Sequence, residues 1–355
     1  MRIKELELQN FRNIEKLLLS GFEDMNIICG ENAQGKTNLL EGIWLFTGAK
    51  SFRNSKDKDF LKFGCEKARL KLLFTAAGIE NDAEITVSEH REAILNGGNL
   101  KSPSALAGRF TATVFSPADL LLVTGGPAVR RKFLDLAIGQ LYPSYINILR
   151  GYMRSVAQRN RIIKDLKYDS SLSIMLEVFE KEIAESGKKI IVFRKKYISL
   201  LGEFLPEVYA GLSGGREKLE TEYLPVCGGN ELSARLEESR RTDMLTGSTS
   251  VGPHRDELEF KINGISARIY GSQGQKRSVA LSVKLAEAEV INKISGEYPV
   301  FLLDDVMSEL DPVRQNYILN HIKGLQSFLT CCDPSNISNL QKGKIFNVKE
   351  GRVKG

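Results

Sequence analysis

The sequence has little of what marks a disulfide-stapled, zinc-bound or membrane-spanning chain. Its five cysteines (Cys29, Cys65, Cys227, Cys331 and Cys332) are odd in number, and no Cys-x-x-Cys pair occurs. A disulfide scaffold and a zinc ribbon do not fit that usage, and reduced thiols are expected. The three histidines, His90, His254 and His321, show no metal-site spacing. No run approaches the ~18 unbroken apolar residues of a bilayer-spanning helix. The opening Met1-Arg2-Ile3-Lys4-Glu5 lacks the apolar core of a signal peptide. Internal repeats and low-complexity segments are also missing. A cytoplasmic protein is expected.

What is present suits a large folded chain. Of 355 residues, 42% are hydrophobic and 26% charged, enough for a sizeable core. The formal charge of +6 is mild, so its distribution matters more than its sum. Ile3 to Phe11 alternates apolar and polar side chains as a half-buried strand does. Met25 to Cys29 reads as a buried strand, and Leu39, Leu40, Ile43, Trp44 and Phe46 as a helix face. Strands are expected again at 70–74, 84–87 and 93–95, with Asn96-Gly97 turning a hairpin. From Ser116-Pro117 to about Arg240 the spacing is helical, with Pro143, Gly187, Pro206 and Gly211 to Gly215 as punctuation. Strands resume at 258–262, before Asn263-Gly264, and a helix is expected from Lys276 to Lys293. Strands follow at 300–303, 327–330 and 344–348. The outline is an α/β domain (1–117 and 241–355) interrupted by a mainly helical arm (118–240).

Gly30-Glu31-Asn32-Ala33-Gln34-Gly35-Lys36-Thr37 matches G-x-x-x-x-G-K-[ST] between a strand and a helix. Its glycines let backbone N–H groups turn inward on a polyphosphate, and the helix N-terminus adds its dipole. Lys36 can then reach the β and γ oxygens, and Thr37 can ligate Mg²⁺. Pro299 to Leu303 is a buried strand delivering Asp304 and Asp305 at its end. Asp304 in that position suits a Mg²⁺ site, and Asp305 suits the polarising of an attacking water. Two acids capping the next helix would look the same. Upstream, Gly271-Ser272-Gln273-Gly274-Gln275 opens a helix and makes a second anion site, from the Ser272 hydroxyl and the amides around Gly274. Two such sites in one chain suggest a nucleotide sandwiched between two copies.

These residues, with Ser308-Glu309-Leu310-Asp311, resemble the head of an ATP-binding-cassette ATPase of the chromosome-maintenance and repair group. Within it the chain is similar, end to end, to the RecF family of bacterial recombination mediators. The motifs that carry the likeness are Asn10-Phe11-Arg12-Asn13, Gly30-x-Asn32 through Thr37-Asn38-Leu39-Leu40-Glu41, and Ser51-Phe52-Arg53. They continue with Phe115-Ser116-Pro117-x-Asp119-Leu120, Gly125-x-Pro127-x-x-Arg130-Arg131-x-Phe133-Leu134-Asp135, and Gly252-Pro253-His254-Arg255-Asp256.

The resemblance implies an ABC-type head that binds ATP and Mg²⁺, dimerises on ATP and hydrolyses it slowly. It also implies binding to duplex or gapped DNA and work with RecO and RecR to load RecA. Nucleotide contacts are implied at Arg12, at residues Gly30 to Asn38, and at Ser272, Gly274 and Gln275. Catalysis is implied at Lys36, Asp304 and Asp305. Another cassette machine, such as a transporter subunit, or a scaffold stapled by ATP are the competing readings. Asp305 replaces the usual Glu. No histidine follows the last core strand, which runs Thr330-Cys331-Cys332-Asp333.

From Gly126 to Tyr168, nine Lys or Arg stand against Asp135 and Asp165. Arg150, Arg154 and Arg161 can share one helix face, and phosphate is the natural counter-charge. An ordinary solvated face gives the same pattern. Arg130 and Arg131 could contact DNA or brace the arm against the head. His254 could meet nucleotide or a partner copy, or be an internally bonded structural residue.

Overall fold

In a computed structural model, residues 1–53, 55–166, 169–332 and 343–354 are described. The N-terminal lobe is a six-stranded antiparallel sheet in the order Ile14–Ser20, Arg2–Phe11, Ala68–Ala76, Ile79–Val87, Arg91–Leu95, Gly98–Asn99. Ile3 and Leu6 both face the core although they stand three apart, because the pairing shifts register between Ile3 and Glu5. The expected Asn96-Gly97 and Asn263-Gly264 hairpins are both formed, with positive φ at all four residues.

A second six-stranded sheet carries the phosphate loop. Its order is Arg352–Lys354, Lys344–Lys349, Met25–Cys29, Ser327–Cys331, Val300–Leu303, Ala112–Phe115, parallel apart from the first, edge strand. Val300–Leu303 and Ser327–Cys331 are buried along their whole length, as strands covered on both faces must be. Their side chains divide between two cores. Ile28, Leu302 and Phe328 point toward the antiparallel lobe, whereas Ile27, Leu303 and Leu329 point toward the helices.

The arm is built from Pro143–Asp165, Ser173–Ser213 and Leu232–Thr246. The expected breaks at Gly187 and Pro206 do not occur, since both lie inside the 41-residue helix Ser173–Ser213. Gly187 is there for packing: a Cβ on it would come 2.5 Å from Leu232 Cδ2. Ile174 and Val178 are exposed, and the buried stripe is Leu176, Ile183, Ile190 and Tyr197. The arm is also not helical throughout. Leu219–Leu224 is a strand that pairs antiparallel with Glu257–Ile262, so one small sheet crosses residue 240. The same long helix runs down onto the head, where Tyr197, Leu201 and Leu205 join the core of helix Gln273–Ser295.

Candidate nucleotide site, facing surface and arm

The loop Gly30–Lys36 leaves strand Met25–Cys29 and opens helix Lys36–Trp44. Gly35 has φ +109°, and a Cβ there would sit 2.7 Å from Asn13 Oδ1. Only glycine meets both demands. Asn13 holds the loop from outside, donating to the Gln34 carbonyl at 3.1 Å and accepting from Asn38 at 2.8 Å. The closing hairpin holds Gln34 as well, through the amides of Glu350 (2.5 Å) and Gly351 (3.1 Å). Lys36 Nζ donates to the carbonyls of Gly30 (2.5 Å) and Glu31 (3.2 Å), so the ammonium lies within the loop's curve.

Arg12 stands next to Asn13 in the chain and is anchored on the helix that follows the loop. Its guanidinium forks onto the fully buried Glu41 at 2.7 and 3.0 Å, donates to Ser55 Oγ, and covers the Phe60 ring. Glu41 lies on the loop's own helix and also accepts from Ser51 at 2.5 Å. Arg12 thus braces the loop's own helix through Glu41. Besides Lys36, Arg53 faces the site: it donates to Asn38 Oδ1 at 2.9 Å and acts on Asp304.

Asp304 lies at the end of Val300–Leu303, one strand removed from the loop strand. Thr37 Oγ1 donates to its Oδ1 at 2.8 Å, and Thr330 Oγ1 donates to the same atom at 3.0 Å. Burial pushes the Asp304 carboxyl above the ordinary aspartate range, partly offset by the two threonines and by Arg53. A hydroxyl and a carboxylate side by side at the foot of the loop are hard oxygen donors of the kind Mg²⁺ takes. Asp305 has φ +53°, a conformation fixed by its amide donating to Thr330 Oγ1 at 2.8 Å. Ser308 Oγ donates to the Asp305 carbonyl at 3.0 Å and to its carboxylate at 3.2 Å. Thr330 thus positions both acids, a role that sequence spacing did not reveal. Beyond it, Cys331 Sγ packs 3.2 Å from Cys29 Sγ in the interior. Cys332 is exposed, and its thiol donates to Asn32 Oδ1 at 3.1 Å. It touches the phosphate loop. Asp333 falls outside the described residues.

The signature turn stands on open surface. Ser272 caps helix Gln273–Ser295: its Oγ accepts from the Gln275 amide at 3.2 Å, and Gln275 Oε1 accepts from the Ser272 amide at 2.7 Å. Gln275 also donates to Glu217 at 2.7 Å. The amides of Gln273 and Gly274, first in the helix, have no acceptor within it. Arg216 and Arg314 border the same shallow hollow, and Arg314 is held by Ser278 at 2.9 Å and by Asp311. Dipole, first-turn amides and two guanidiniums suit a phosphate.

The arm's cations divide. Arg150, Arg154 and Arg161 are exposed on Pro143–Asp165. Arg159, counted with them from sequence, is completely buried and paired with Asp243 (2.7 Å) and Glu180 (3.0 Å). Lys167 falls outside the described residues. Arg130 is buried, forked onto Glu257 at 2.7 Å through both nitrogens, with Nη1 on the Leu122 and Gly125 carbonyls. Every arm of that guanidinium is engaged, so it is a brace and not a DNA contact. Arg131 is half-buried and donates to the Asp256 carbonyl at 2.8 Å.

His254 is also structural. Its Nε2 lies 3.0 Å from the Thr249 carbonyl, which can only accept, so the proton is on Nε2. Nδ1 then accepts from the Tyr152 hydroxyl at 2.5 Å. Burial holds this imidazole down to about 4, hence neutral near pH 7. Asp256 accepts from Tyr223 and from the Val226 amide (2.9 Å), and Arg194 donates to the Pro253 carbonyl (2.6 Å). The Gly252–Asp256 turn is a knot joining arm to head.

The comparisons with known proteins agree with this architecture. A family model described as RecF/RecN/SMC N terminal domain matches residues 2–351. The DNA replication and repair protein RecF of Agathobacter rectalis is 39% identical over 361 residues, covering 99% of each chain. The protein of the same description from Bacillus cytotoxicus is 38% identical over 367 residues, 99% of this chain and 98% of its own. A solved structure of the recombination mediator protein RecF-ATPrS in the RecFOR pathway has 37% identity and a TM-score of 0.92, over 99% of this chain and 97% of that one. The Smc head domain of Pyrococcus furiosus superposes with a TM-score of 0.55 at 18% identity, over 99% and 95% of the two chains, a likeness of fold. The fold is that of an ABC-type ATPase head of the kind chromosome-maintenance proteins carry. Within that class, the chain belongs to the RecF family. Among the described residues, no helix is long and apolar enough to cross a membrane.

Proposed function

We propose that this chain is an ATP-gated DNA clamp of recombinational repair and replication restart, acting in the bacterial cytoplasm. Two copies close on each other, and the Ser272–Gln275 turn of each covers the triphosphate held on the other's Gly30–Thr37 loop. The observation that carries this reading is that loop and turn are separate, each held by its own partners. The loop is tied to Asn13 and the closing hairpin, and the turn is tied to Glu217. Each is half of a phosphate site, and a second copy completes it.

Within the closed pair the residues divide the work. Lys36 exchanges its Gly30 and Glu31 carbonyls for phosphate oxygens. Mg²⁺ held by Thr37 and Asp304 would supply charge neutralisation on the β and γ oxygens. Asp305, fixed by Thr330 and Ser308, accepts a hydrogen bond from the attacking water and takes its proton. Its side chain is one methylene shorter than the usual Glu, which suits slow turnover; in this reading DNA stimulates that turnover. Exposed Arg150, Arg154 and Arg161 take the phosphates of duplex or gapped DNA. In this reading the clamp works with RecR and RecO to load RecA at gaps, and hydrolysis releases it.

The test is duplex binding with ATP, with ADP and across a salt series. ATP is expected to tighten binding, and affinity should fall linearly on logarithmic axes with salt. Arg154→Ala with Arg161→Ala should reduce that slope by about two. Binding indifferent to nucleotide and to salt would remove the proposal.

A further inference from the structure

Between the N-terminal lobe and the arm lies a cleft of ≈ 650 Å³, within the ~300–1,000 Å³ range of small-molecule sites. Six cations border it: Lys50, Arg91, Arg131, Lys132, Arg150 and Arg194. Two carboxylates face them, and both are engaged. Asp57 pairs with Arg91 at 3.1 Å, and Asp135 pairs with Arg194 at 2.8 Å and accepts from Tyr145 at 2.5 Å. His90 and His254 also border the cleft, and His254 is neutral. The lining of the cleft therefore carries more cations than carboxylates.

Arg131 is the sharpest sign of an intended anion. It is half-buried beside Arg194, and burial and that neighbour together push its pKa down. Its guanidinium donates to a neutral carbonyl, that of Asp256. Arg150 Nη2 bridges the cleft to Ser104 Oγ at 3.1 Å, so arm and lobe meet at a guanidinium. One wall is apolar: Leu136, Ile146, Leu149 and Met153. At the base, buried Gln140 accepts from the Ala112 amide through its Oε1 (3.1 Å), and its Nε2 has no acceptor among the described residues. A charged rim with planar donors, an apolar wall and an idle amide donor match one chemical class, a phosphate joined to a flat heterocycle.

We propose that this cleft holds a single nucleotide unit, its phosphate on Lys50, Arg131 and Arg150 and its base against Leu136, Leu149 and Met153. The unit has two possible sources, a free mononucleotide or the unpaired nucleotide at a DNA strand end. The second source rests on the DNA-clamp reading; the first does not.

The experiment uses the full chain with its phosphate loop saturated by ATPγS. One arm titrates dAMP by calorimetry, and the other compares a blunt duplex with the same duplex carrying a short single-stranded tail. Two variants probe the cleft from opposite sides. Lys50→Glu reverses a charge on the lobe, and Ala128→Trp fills the arm side without removing any charge. Thermal melts confirm that both fold. The parent is expected to bind dAMP, or to prefer the tailed duplex by about tenfold, and both variants to lose that binding or preference. Blunt-duplex affinity should stay within about twofold in Ala128→Trp. Loss confined to dAMP assigns a free nucleotide, and loss confined to the tail assigns a strand end. The proposal is overturned if the parent binds neither probe preferentially, or if both folded variants behave like the parent. Failure of blunt duplex to bind at all would sink the clamp reading alone, leaving the dAMP arm to decide the cleft.

Discussion

Thr37 Oγ1 donates to Asp304 Oδ1 at 2.8 Å across 267 positions of sequence. The first residue opens the helix after the phosphate loop, and the second ends a strand two places away in the same sheet. Thr330 fills the strand between and bonds the same carboxylate oxygen. Parallel register fixes this row, because all three strands end at one edge of the sheet. Nucleotide chemistry in open parallel sheets is placed at such an edge.

The pH dependence of nucleotide binding follows from that row. Burial raises the Asp304 pKa, so its protonated form persists to a higher pH than an ordinary aspartate allows. As pH falls, Mg²⁺-dependent ATP binding should weaken through a step lying above the usual Asp range. In Asp304→Asn that step should vanish, together with most of the Mg²⁺ dependence. Nucleotide affinity measured against pH, with and without Mg²⁺, checks this. The nucleotide-free chain behaves oppositely at this group, because protonating a carboxyl whose folded pKa is raised favours the folded state.

Glu41 is wholly buried and holds Arg12 and Ser51, with Arg53 at 3.9 Å. Glu41→Gln leaves a partly buried guanidinium without its counter-charge. A loss of about 3 kcal/mol in unfolding free energy is expected, read by denaturant titration. Arg12→Ala should weaken ATP binding through the helix it steadies.

His254 predicts a second pH effect on stability. Its folded pKa is about 4 against 6.5 for the free group, and burial is the main cause. The unfolded chain therefore binds the proton more readily across that window, and stability is lost as pH falls from ~6.5 to ~4. This group accounts for about 3 kcal/mol of the loss. His254→Gln should flatten the stability profile between those limits relative to the parent, by denaturant melts at matched pH.

Much of this was legible in the sequence, and the misses have physical causes. The phosphate loop, Asp304-Asp305 and the Ser272 turn depend on local spacing, and each stands where its strand or helix terminus puts it. Helix Ser173–Ser213 shows the limit of punctuation: Gly187 reads as a break but serves a close helix crossing. Leu219–Leu224 alternates weakly, and its strand partner lies across residue 240. Charge counting failed at Arg159 and Arg130. A basic residue on a helix says nothing about which acids, distant in sequence, fold onto it, and Glu180, Asp243 and Glu257 are such acids. Thr330 left no motif at all, because its role arises from strand order.

The sharing of triphosphates between two copies is tested most directly by the mass of the particle in solution. Asp305→Asn is the form to weigh, since it should hold ATP without consuming it. Without nucleotide it should run as a monomer, and with ATP and Mg²⁺ as a dimer. Adding Ser272→Arg should keep the ATP-loaded chain monomeric while leaving its own loop able to bind. A mass that ATP does not change, or a dimer that persists with Ser272→Arg, would contradict the account.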